Sequence, residues 1–135
     1  MLKKTIKYVD YNGETREEDF YFNLTKAELT ELELRQAGGL KSLLEKIIAE
    51  RDQDKLVTLF KKIILMAYGE KSLDGRRFVK SEDLTKAFTE TEAYSELFME
   101  LVTDSKAAAA FINGIIPEEM KNASQKEELA KVINK

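Results

Sequence analysis

Between residues 55 and 68 the chain places apolar side chains at helical spacing on one broad face: Leu56, Leu59, Phe60, Ile63, Ile64 and Ala67. Val57 and Tyr68 widen that face. Lys55, Thr58, Lys61 and Lys62 hold a narrower polar sector, and Leu65 and Met66 intrude even there. A helix this apolar must be covered from several sides, and the rest of the chain reads as its cover.

The N-terminal segment alternates instead. Residues 5–11 and 14–22 flank Asn12-Gly13, a pair that tolerates positive φ at both positions and predicts a hairpin with a two-residue type I′ turn. That turn sets Val9 opposite Arg16, Lys7 opposite Glu18 and Thr5 opposite Phe20. Val9, Tyr11, Phe20 and Phe22 then share one face, and Ile6, Tyr8 and Tyr21 the other. A lone hairpin is marginal, so it must dock on helices or pair with another chain.

Helix signals follow. Thr25 and Glu28 form a capping box, with Leu24 and Leu29 at staple spacing. Gly38-Gly39 stops that helix. Leu40, Leu43, Leu44, Ile47 and Ile48 make the stripe of a second one. Asp52 or Asp54 caps the central helix and Gly69 ends it. Residues 70–80 read as a polar connector with a turn at Asp74-Gly75, pinned by Phe78 and Val79. Ser81 restarts a short helix reaching about Phe88, with Glu82 and Asp83 where the dipole favours acids. Thr89 and Glu92 offer another capping box. Tyr94, Leu97, Phe98, Leu101 and Val102 then keep helical spacing without a miss. Asp104 or Ser105 opens a last helix, through Ala107, Ala110, Phe111 and Ile112. Asn113-Gly114 closes it and Pro117 blocks continuation, leaving Ile115 and Ile116 in a turn.

The pattern predicts an α+β fold, mainly α, with an N-terminal β-hairpin packed on a bundle of about five to six helices. Residues 1–117 form a single globular domain, with the hairpin in 3–22 and helices in 25–117. Residues 118–135 form a charged C-terminal tail, frayed for want of a strong stripe.

Composition narrows the chemistry. Lysine and arginine number 22 against 25 acids, a net charge of −3 that gives no field for nucleic acid. No apolar run is long enough for a membrane span. The chain has no cysteine and no histidine, so the usual zinc sites, thiol nucleophiles and histidine-based triads are unavailable. Glu17, Glu18 and Asp19 alternate across a strand, and Glu82 and Asp83 lie in a solvated first turn, so neither group reads as a catalytic pair. No glycine-rich phosphate loop occurs. The expectation is a non-enzymatic protein without cofactor or metal. The residues that could meet a partner are Met99, just off its stripe beside Val102, with Ile115 and Ile116 as an apolar patch, and the Arg76-Arg77 pair.

One resemblance adds specificity. The segment from Tyr94 to Leu101 and the run from Ala107 to Pro117 resemble the tail assembly chaperones of tailed bacteriophages. The segment from Tyr68 to Phe78 and the hairpin from Lys7 to Gly13 fit the same family, so the likeness spans residues 3–117. It implies a protein that binds the long helical tape measure protein in the host cytoplasm. Such a protein keeps its client soluble, helps recruit the major tail protein and is absent from the finished virion. It also implies that a frameshifted longer form would diverge after Pro117. Self-association through the hairpin edge is a further expectation. The alternative is a structural tail or connector component retained in the virion.

Overall fold

The structure, a computed structural model, describes residues 1–35 and 53–117. In chain order these residues form β1 (Leu2–Val9), β2 (Thr15–Phe22), α1 (Lys26–Arg35), α2 (Gln53–Ala67), β3 (Tyr68–Lys71) and β4 (Phe78–Val79). Helices α3 (Glu82–Thr89), α4 (Glu92–Thr103) and α5 (Ser105–Ile115) complete them. The expected α+β, mainly helical class with an N-terminal hairpin is present. The helix expected around Leu40 to Ile48, the Asp52 cap and the tail from 118 lie outside the described residues.

Asp10 sets the first hairpin, and it does so differently from the expectation. Its backbone N–H donates to the Glu14 carbonyl (2.8 Å) and its carbonyl accepts from Gly13 N–H (3.0 Å). Its carboxylate accepts from the N–H groups of Asn12 and Glu14 (2.9 and 3.0 Å) and from Arg16 Nε (2.6 Å). Within this turn Gly13 alone takes positive φ (+80°), and the turn is one residue longer than type I′. The pairing becomes Val9 with Thr15, Lys7 with Glu17 and Thr5 with Asp19. A one-residue slip exchanges the faces of one strand relative to the other. Ile6 and Phe22 are therefore buried on the same face, flanked by Leu2, Tyr8 and Phe20, while Val9 and Tyr11 are exposed.

The polar connector is also more regular than expected. Helix α2 passes into β3 with no intervening loop, and the four strands form one antiparallel sheet in the order β1-β2-β3-β4. Gly69 does not end the helix, which closes at Ala67; it pairs with Tyr21 inside the sheet. A Cβ there would lie 2.8 Å from the Val79 carbonyl and 2.8 Å from the Phe78 ring, so only glycine lets β3 and β4 approach.

Aromatic rings fill the space between sheet and helices. Phe88 of α3 stacks on Tyr68 with centroids 4.1 Å apart, and meets Phe20, Phe22 and Tyr94 at 5.4, 5.8 and 5.6 Å. The apolar face of α2 contributes Phe60, Ile63, Ile64 and Ala67 to the same core, and α4 contributes Ala93, Leu97 and Leu101. Ala108 of α5 is buried beside Phe111 and Ile112.

Local signals account for most helix starts. Glu28 N–H donates to Thr25 Oγ1 (3.1 Å) and Thr25 N–H donates to Glu28 Oε1 (2.9 Å), both halves of the capping box. Ser81 caps α3 and Asp104 caps α5. Helix α4 is capped by Thr91, through Tyr94 N–H, rather than by Thr89. Helix α5 continues through Gly114, whose missing side chain admits Leu2 of β1, to a buried Ile115. The Ile115 carbonyl accepts from Leu24 N–H (2.8 Å), which ties that helix end to the sheet.

Candidate partner-binding surface

One lysine joins four elements. Lys80 follows β4, and its ammonium donates to the Asn23 carbonyl (2.7 Å), the Met66 carbonyl (2.8 Å) and Glu28 Oε2 (2.6 Å). An ammonium has three donors, and all three are used. Two of its acceptors are main-chain carbonyls, at the end of β2 and in the last turn of α2; the third is the carboxylate that caps α1. Burial pushes the Glu28 carboxyl upward, but Lys80 and the Thr25 N–H outweigh it and hold the group below its ordinary value.

Beside this junction α2 and α3 diverge around a groove of about 720 Å³. Leu65 and Met66 supply its half-buried apolar floor, with Tyr94 of α4 at one end. Burial raises the Tyr94 phenol above its ordinary value. Lys61 and Lys86 stand exposed on the walls, and neither forms an ion pair with a described residue. Glu82 is the acid in the lining, against Lys61, Lys80 and Lys86. Apolar floor and basic rim suit the stripe of an amphipathic segment bearing acids along its border. No group of three metal-ligating side chains occurs among the described residues.

The family model for phage tail assembly chaperones matches residues 1–135, the whole chain. The chain belongs to that family. The match takes in the charged segment after Pro117, beyond the 3–117 over which the resemblance was legible. No curated protein and no solved structure matches the chain. Among the described residues no helix of this chaperone is long and apolar enough to cross a membrane.

The residues anticipated as partner contacts are scattered over the chaperone. Met99 is 53% exposed on α4, whereas its neighbour Val102 is half-buried against the core. Ile115 is 0% exposed, because α5 extends one residue past Gly114 and turns it inward; the expected surface position is corrected. Ile116 is half-buried. Arg76 and Arg77 are exposed on the turn between β3 and β4. Asp74 Oδ1 accepts from Arg76 N–H (3.0 Å) and Ser72 Oγ (2.7 Å), and Ser72 Oγ accepts from Arg77 N–H (3.0 Å). This bonding displays a fully exposed Leu73 at the tip. The groove itself was not anticipated. Its signal was present in Leu65 and Met66, the apolar residues intruding on the lysine-bearing side of α2.

Proposed function

We propose that this chaperone binds the tape measure protein by laying the α2–α3 groove against apolar stripes on that protein's helices. The observation that carries the reading is the Leu65–Met66 floor between two lysines that form no ion pair with a described residue, on a member of the tail assembly chaperone family. Covering such stripes keeps a long helical client soluble while the major tail protein is recruited. The protein acts in the host cytoplasm, leaves before completion, and works by burial rather than bond chemistry.

The test is co-expression with the tape measure protein encoded by the same phage. A soluble complex on size exclusion supports the reading. Lys61→Glu with Lys86→Glu should weaken it by about tenfold, since each reversal turns an attractive rim contact repulsive. If the client stays insoluble, or the double variant binds unchanged, the reading fails. Mass spectrometry of purified virions separates it from a retained tail component, which would be present in fixed copy number.

A further inference from the structure

The sheet ends in an open edge. Asp10 closes onto Glu14 by a backbone bond, which fixes the parity of the ladder. Even-numbered β1 residues face β2, and Lys3, Thr5, Lys7 and Val9 turn their backbone groups outward. The far side of β2 agrees: its odd-numbered Tyr21 pairs with Gly69, and Asn23 N–H donates to the Ala67 carbonyl (2.8 Å). No backbone bond from another described residue reaches the outward groups of β1.

The side chains at this edge select what can pair with it. A second copy in the centred antiparallel arrangement, Thr5 facing Thr5, would set Lys3 against Lys7 twice. Like charges directly opposite are destabilising. An incoming strand with carboxylates at alternate positions would instead extend the charge matching already seen inside the hairpin, where Lys7 faces Glu17.

The other face of such a strand would also find a partner. On α4, Glu100 Oε1 accepts from Lys4 Nζ of β1 (2.7 Å), so that helix lies over the even-numbered face of the edge strand. Apolar residues alternating with the acids would lie beside Leu2, Ile6 and Tyr8, which face the core from β1.

We propose that β1 accepts an extended partner segment alternating acidic and apolar residues, bound by strand addition. This goes beyond the groove reading and involves a different surface. The probe is a short synthetic peptide alternating glutamate with valine, titrated into the full chain. The expected result is slowed amide exchange at Lys3, Thr5, Lys7 and Val9. A peptide carrying lysine in place of glutamate should bind at least about tenfold more weakly. Thr5→Pro removes an outward N–H that β2 does not use, so the fold should persist while binding is lost. Unchanged exchange at those amides, equal binding of the lysine peptide, or a symmetric dimer through β1 would overturn the proposal. Loss of tape measure binding in the groove variants with peptide binding intact would separate the two surfaces.

Discussion

Lys80 and Glu28 lie 52 positions apart in sequence and form a 2.6 Å ion pair, with the lysine's remaining donors spent on the carbonyls of Asn23 and Met66. The pair is partly shielded, at 23% and 35% side-chain exposure. Its value lies in the carbonyls it satisfies as well as in charge attraction. Lys80→Met should therefore destabilise the fold by about 2 kcal/mol, because it strands three acceptors at once. Urea unfolding measures this. A loss within error would show that water replaces the ammonium without cost.

Acid should act through the same pair. The folded-state pKa of Glu28 lies below its ordinary 4.5, so the unfolded chain binds a proton first as pH falls. The stability contributed by the ionised carboxylate is present above pH 4.5 and is lost as pH drops through the lower folded value. Glu28→Gln should flatten that part of the stability profile. Asp10 and Asp74 are also held low by their hydrogen bonds, so the decisive readout is the difference between the two profiles.

Alkali should act through Tyr68. Burial first, then the charge of Glu70 and a hydrogen bond to it, push the phenol from 10.0 up to about 12. Between those values the unfolded chain releases a proton that the folded chain keeps, so stability falls as pH rises from 10 toward 12. Tyr68→Phe should lessen that fall; Tyr8, Tyr11 and Tyr94, also held above the ordinary phenol value, account for the remainder. Spectroscopic titration of the wild type should show one tyrosine ionising well after the exposed ones.

Two glycines should respond differently to alanine. At Gly69 the new methyl meets a backbone carbonyl, Val79 O, at 2.8 Å, which cannot move without parting β3 from β4. At Gly114 it meets the Leu2 side chain, with Cδ1 at 2.9 Å, and that side chain can turn aside. Gly69→Ala should cost about 3 kcal/mol and Gly114→Ala less than about 1 kcal/mol, by thermal or urea unfolding. Equal costs would mean that α5 has no freedom against β1.

Phe88→Ala removes the ring that touches Phe20, Phe22, Tyr68 and Tyr94. A cost of about 4 kcal/mol is expected, with lost near-ultraviolet dichroism from the neighbouring tyrosines.

The elements legible in sequence were those with local causes. The Thr25–Glu28 box, the Ser81 and Asp104 caps and the Leu97–Leu101 stripe each depend on residues within a turn or two of one another. The hairpin was legible as a hairpin, but its register turned on one carboxylate: the Asp10 side chain gathers Asn12, Glu14 and Arg16 and lengthens the turn. Strands β3 and β4 are not legible because they are only four and two residues long, and they exist through pairing with β2 and each other. The groove is legible only with α2 and α3 in place. Leu65 and Met66 look like imperfections of an amphipathic helix until Lys61, Lys86 and Tyr94 are set around them. Ile115 was misplaced because glycine after asparagine suggests a helix end, whereas Gly114 is small for the sake of Leu2.

Ala67 is the last residue of α2 and Tyr68 the first of β3, so the two share a joint with no slack. The second hairpin is therefore positioned directly by the helix that carries Leu65 and Met66, and with it the turn bearing Leu73 and both arginines.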